Sequence, residues 1–244
     1  MKNLIIAFFL TGSSITALAQ DEDVTDTKNI IKLNLLALPF KNISVQYERA
    51  ISPKFTAAIT ARVMPKSTLP FRSTISDYAD DAELDRQLAN TKVGNMAIMP
   101  EIRWYVGKKG AFRGFYLGAF ANIGKFDADL LYEYDDVLTT KTIPLSGSVN
   151  TITGGLMLGA QWKLSKSFYL DWWILGPNYG SSRGDLSGKQ KLTASEQESL
   201  RNELADLDIP LTDFTYQVDG NGATIDFKGP WAGVRSGLCI GFRF

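Results

Sequence analysis

Apolar and polar side chains alternate along the chain in short blocks, the period-two pattern of β-strands. The clearest block ends the sequence: Val234, Leu238, Ile240, Phe242 and Phe244 share one face, and Arg235, Gly237, Cys239, Gly241 and Arg243 the other. Blocks at about 29–38, 43–51, 55–64, 95–106, 114–130, 148–164 and 168–176, with the last starting near 231, make eight predicted strands. In the second, Ile43, Val45 and Tyr47 oppose Ser44, Gln46 and Glu48; in the fourth, Met96, Ile98, Ile102 and Trp104 oppose Ala97, Glu101 and Arg103. Only the fifth is ambiguous, because Phe115, Leu117 and Ile123 compete with Tyr116 and Phe120 for one face.

The connections alternate in length. Those after the second, fourth and sixth strands are short (52–54, 107–113 and 165–167), whereas those after the third, fifth and seventh are long, the last spanning about 177–229. Short turns at one end and long loops at the other mark transmembrane barrels. The expected fold is all-β: an eight-stranded antiparallel up-and-down transmembrane β-barrel with short periplasmic turns, long outer loops and one or two short loop helices. Strands of nine or more residues are long enough to cross the hydrocarbon.

Alternation alone leaves open which face is wet. A soluble lipocalin-like barrel would turn the apolar rows inward around a hydrophobic ligand. The off-face residues favour the membrane barrel, since Gly118, Gly155, Gly159, Gly237 and Gly241 suit a crowded interior better than an outer surface. With the apolar rows on lipid, Lys32, Glu48, Arg62, Glu101, Arg103, Lys163, Asp171 and Arg235 point into the lumen as a structural charge network, and Arg243 rims it. Buried opposite charges must pair. The expected pairs are Glu101 with Arg103, and Asp171 and Glu48 with Arg62 or Arg235. An eight-stranded interior is just wide enough to be filled by side chains.

Residues 1–19 read as a cleaved signal peptide: Lys2, an apolar run over Leu4–Leu10, then Ala17-Leu18-Ala19 as an A-x-A site. Residues 20–28 follow as a short periplasmic segment, and 29–244 as an outer-membrane barrel. Removing 19 of the 244 residues leaves 25 basic and 26 acidic side chains, so no basic excess exists to hold nucleic acid. Cys239, the single cysteine, has no internal disulfide partner and reads as a buried small residue. The chain contains no histidine, which removes Ser-His-Asp hydrolysis and His-ligated metal sites. No cofactor is expected and no catalytic residues are assigned.

In the long loops, Thr193-Ala194-Ser195-Glu196 is a capping-box pattern, and Leu200, Leu204 and Leu207 recur at helical spacing, predicting a helix over about 193–208. Leu84 and Leu88 predict a second near 80–89. Such helices would cover the barrel mouth or present a recognition surface. The expected partners are outer-membrane lipid, the barrel-assembly machinery through the strand ending at Phe244, and a surface ligand through loops 66–94 and 177–229.

The run Ile43-Ser44-Val45-Gln46-Tyr47-Glu48-Arg49-Ala50-Ile51, followed by Ser52-Pro53-Lys54-Phe55, resembles the S-x-x-Y-E-R-A hairpin of small outer-membrane barrel proteins common in the Bacteroidetes. Pro100–Tyr105, Arg113–Gly118, Gly155–Gly159 and Asp171-Trp172-Trp173 resemble the same group. The resemblance covers most strands but not the long loops, and implies an eight-stranded outer-membrane barrel of largely uncharacterised role. The expectation is a non-enzymatic barrel with a filled lumen and a structural or surface-binding role. A narrow ion or solute channel is a further alternative.

Overall fold

A computed structural model describes residues 27–72, 88–136, 139–205 and 211–244, apart from the side chains of 135–139. The strands are β1 (Asn29–Asn34), β2 (Ile43–Ala50), β3 (Phe55–Thr68), β4 (Lys92–Tyr105), β5 (Gly114–Asp136), β6 (Thr139–Lys163), β7 (Phe168–Lys189), β8 (Asp213–Asp219) and β9 (Gly222–Arg243), with one α-helix, α1 (Ala194–Ala205). Each strand from β1 to β6 pairs antiparallel with the next, β7 pairs with β9, and β9 returns to β1. Eight strands therefore close the ring. The ninth, β8, lies outside it on the first part of β9, as Asp213↔Lys228 to Asp219↔Gly222.

The apolar rows face outward. Ile59, Ile98, Ile102, Leu117, Ile123, Ile152 and Val234 are all exposed, and Leu156 is 70% exposed. This is the reverse of a lipocalin-like barrel, whose apolar face lines its cavity. On the fifth strand Phe115, Leu117 and Ile123 take the outer face while Tyr116 and Phe120 are buried inside. Aromatic side chains gather at the short-turn end: Phe55 pairs with Trp104 across β3 and β4, Phe115 and Trp162 lie on β5 and β6, and Phe168 meets Phe242 at 5.5 Å.

At the other end this polarity reverses on the same continuous strands. Beyond the Ile123↔Ile152 pair, outward positions become Lys125, Asp127 and Asp129 on β5, Asn150 and Ser148 on β6, Arg183 and Asp185 on β7, and Lys228 and Asp226 on β9. Inward positions become apolar. Tyr134, Ile143, Leu145, Ala223 and Ile225 form a separate core with Val218 of β8 and with Leu200 and Leu204 of α1. Helix α1 thus packs on the continuation of the lumen face.

The structure departs from the sequence expectations at several elements. The first strand stops at Asn34, and 35–40 form a 3-10 helix around Pro39 instead of continuing to 38. The long fifth connection becomes strand, because β5 and β6 stay in register out to Asp136↔Thr139. Most of 177–229 is strand and helix and not loop, since β7 runs on to Lys189 and β9 begins at Gly222. A register shift between Trp173 and Gly176 switches the parity of β7, so Leu175 and not Ile174 continues the exposed row. The expected signal peptide lies outside the described residues, as does most of the helix expected at 80–89, of which 88–90 are helical. Among the described residues no helix is long and apolar enough to cross a membrane, which says nothing about crossing by strands.

Candidate functional site

Among the described residues, the lumen is where the strand pattern buries charge. Residues two apart on a strand share a face, so Glu101 and Arg103 of β4 project together, as do Gln46 and Glu48 of β2. Lys32 lies opposite Gln46, and Gln161 opposite Asp171, which brings distant segments to one level. Glycines on facing strands make the room. A Cβ at Gly118 would lie 3.0 Å from Glu101 Oε1, one at Gly159 would collide with the Tyr116 ring, and one at Gly237 with Asn34.

Three carboxylates and three cations are buried there. Lys32 bonds Glu48 and Asp171 and donates to Gln161 Oε1 at 3.0 Å. Arg103 donates through Nε to Glu101 Oε1 and through Nη1 to Asp171 Oδ2, both at 2.7 Å, and through Nη2 to Gln46 Oε1 at 2.9 Å. Its Nη1 also lies 3.3 Å from Glu48 Oε2. Arg235 donates to Glu101 Oε2 at 2.8 Å and to Thr60 Oγ1 at 3.0 Å. Neutral donors complete the carboxylate shells: Tyr116 OH to Asp171 Oδ1 at 2.9 Å, Trp173 Nε1 to Asp171 Oδ2 at 3.0 Å, and Tyr105 OH to Glu48 Oε1 at 2.9 Å. Arg103 stacks 4.4 Å over Tyr116, and Arg235 4.1 Å over Trp173. Charge-assisted bonds and cation–π contacts of this kind hold buried ions where water cannot.

Six of the eight candidate residues meet in this network, but the pairing differs from expectation. Asp171 and Glu48 share Lys32 and Arg103, and Arg235 turns to Glu101. Arg62 forms no ion pair among the described residues. It sits beyond Thr60, level with Ser44 and Ala97, and the charge acting on it is the cation Arg235. Lys163 is also outside the network, because it is the last residue of β6, at the short-turn rim, and only half buried. Arg243 closes the rim, donating to Thr27 O at 2.7 Å and to Tyr169 OH at 3.0 Å. Cys239 is fully buried beside Asp171, its register partner.

Two closures lie above and below the charges. The 107–113 turn folds under the barrel, with Ala111 N bonded to Pro53 O at 2.7 Å, and inserts Phe112 against Ile30 and Tyr169. Phe112 takes a left-handed φ of 68°, a strained conformation for an aromatic residue that persists only where packing enforces it. On the far side, Phe126 of β5 meets Trp231 of β9 across the interior at 5.1 Å. The sequence expectations include neither closure. Phe112 could have been suspected as the single large apolar residue in a Gly- and Lys-rich turn, whereas Phe126 and Trp231 become partners only once the ring closes. Tyr105 and Trp173 follow from parity with Arg103 and Asp171, whereas Tyr116 lies on the fifth strand, whose facing the pattern leaves ambiguous.

Chemically, the arrangement is a neutral, interlocked plug. Each carboxylate already accepts from two cations or from a cation and several neutral donors, and among the described residues no group of three or more Cys, Asp or Glu is disposed to hold a metal ion.

No curated protein matches the chain. Among solved structures, the N-terminal β-barrel domain of Pseudomonas aeruginosa OprF is similar at 9% sequence identity and a TM-score of 0.27, with 89% of this chain and 98% of that one covered. A family model described as "Protein of unknown function (DUF3575)" matches residues 5–181, and the chain belongs to that family.

Proposed function

We propose that the protein is a non-enzymatic integral outer-membrane barrel with a closed lumen, exported by a cleaved signal peptide, whose role is structural or surface-binding. The observation that carries this reading is the polarity reversal at the Ile123↔Ile152 level. One set of strands has an apolar outside and a polar inside over the barrel section, then a polar outside and an apolar inside beyond it. Burying apolar surface and solvating charge is favourable in water, so a wall in a single aqueous solvent has no reason to invert. A wall passing from lipid into water does. The outward row of β4, from Met96 to Trp104 with Val106 just beyond the strand, would span about 34 Å along the chain and roughly 24 Å in height at a 45° tilt. This matches the apolar band of transmembrane barrels. The aromatic residues at the short-turn end supply a girdle.

The closed lumen supports a barrier and not a conduit. The strand extension carrying α1 is then the surface available to a ligand outside the cell, and the assembly machinery would act on β9. A gel-shift assay tests the membrane reading. The folded barrel, extracted only by detergent, should migrate differently before and after boiling. Release by osmotic shock without detergent, with no shift on heating, would refute it.

A further inference from the structure

A second site lies at the short-turn end, where it adjoins the lumen plug at Gln161. The 107–113 turn and the end of β6 enclose a groove of about 920 Å³. Four of its lining residues are cations, Lys108, Lys109, Arg113 and Lys163, and none is an acid. Among the described residues none of the four takes an ion pair, in contrast to the neutralised charges of the lumen. The remaining wall is largely apolar: Val106, Phe115 and Trp162, each 41% exposed or more, belong to the outward rows and the aromatic girdle. One groove therefore joins a cationic rim to the surface that would face lipid. Lys163 is placed here by the end of β6, where it is too far toward the turn to meet Gln161's partners in the plug.

We infer that this groove binds the phosphate headgroup of an anionic phospholipid in the membrane leaflet at the short-turn end, with Lys108, Lys109, Arg113 and Lys163 around the phosphate and the acyl chains on Phe115 and Trp162. The inference rests on the membrane reading. Charge complementarity selects the headgroup, because clustered Lys and Arg at a bilayer surface attract anionic lipid. Continuity with the apolar rows selects a lipid over a free anion, which would gain nothing from Val106, Phe115 and Trp162. Lys and Arg stems also lie well along such apolar surface with their heads at the interface.

The test uses the full folded chain in detergent, mixed with equimolar phosphatidylglycerol and phosphatidylcholine of the same acyl chains, with bound lipid counted by native mass spectrometry. Phosphatidylglycerol should be preferred by about tenfold. The K108Q/K109Q/R113Q/K163Q variant should lose that preference while keeping its heat-dependent gel shift, and K163R alone should retain it. Inorganic phosphate added in excess should not displace the lipid; displacement would identify a free-anion site instead. Equal binding of the two lipids, or a preference unchanged in the quadruple variant, would overturn the inference while leaving the membrane barrel standing. Failure of the wild-type chain to show a gel shift or enter vesicles would overturn the membrane reading, and this inference with it.

Discussion

Asp171 accepts bonds from Lys32, Arg103, Tyr116 and Trp173, so two of the three buried cations depend on it. Removing it leaves two buried cations short of a counter-ion. Asp171→Ala should therefore cost about 3–5 kcal/mol of stability, read as a lower denaturant midpoint in reconstituted vesicles, whereas Lys163→Ala should cost less than about 1 kcal/mol. Equal effects would mean that the lumen charges are not held as a unit. Two glycines make a sharper steric test. A methyl at Gly159 would run into the Tyr116 ring, while nothing lies within 4 Å of a methyl at Gly154. Gly159→Ala should destabilise by about 1–3 kcal/mol, and Gly154→Ala should change stability little, by the same melting measurement.

At the scale of elements, the capping box on α1 was readable as four residues of sequence and forms as such. Glu196 accepts from Thr193 N at 2.6 Å, and Glu196 N donates to Thr193 Oγ1 at 3.3 Å. The Lys141 ammonium, 2.7 Å away on the β5–β6 hairpin, together with the Thr193 N–H, draws the Glu196 carboxyl down to about 2 from the usual 4.5. A carboxyl lowered by folding stabilises the folded form fully above pH 4.5 and loses that contribution as pH falls toward 2. The protection of α1 amides, taken as the exchange rate relative to the intrinsic rate at each pH, should fall across that interval in the wild type, and Glu196→Gln should make the protection independent of pH there. An identical profile in the variant would detach Glu196 from the helix anchor. The barrel strands were equally legible, because one buried face and one exposed face leave a period-two record. The extension was not. Its strand Gly176–Lys189 is rich in Gly and Ser, a register shift breaks the parity just before it, and its apolar face points opposite to that of the barrel section. The pairing partners of Arg235 and Lys32 were likewise hidden, since they depend on how the ring closes and not on local pattern.

At the scale of the whole molecule, three layers block the long axis: Phe112 at the turn end, the charge plug, and the Phe126–Trp231 contact. Planar bilayers containing the folded protein should show no conductance above background, and steady single-channel steps would show that the plug opens. Spin labels placed singly on either side of the polarity reversal, with Cys239 replaced by Ala, distinguish a lipid–water boundary from a wall in one solvent. In vesicles, labels at Ile98, Ile123 and Leu156 should collide readily with oxygen and be shielded from a water-soluble nickel chelate. Labels at Asp127, Ser148 and Asp185 should show the opposite preference. Nickel-chelate accessibility that is high at all six positions would mean that the whole wall stands in water.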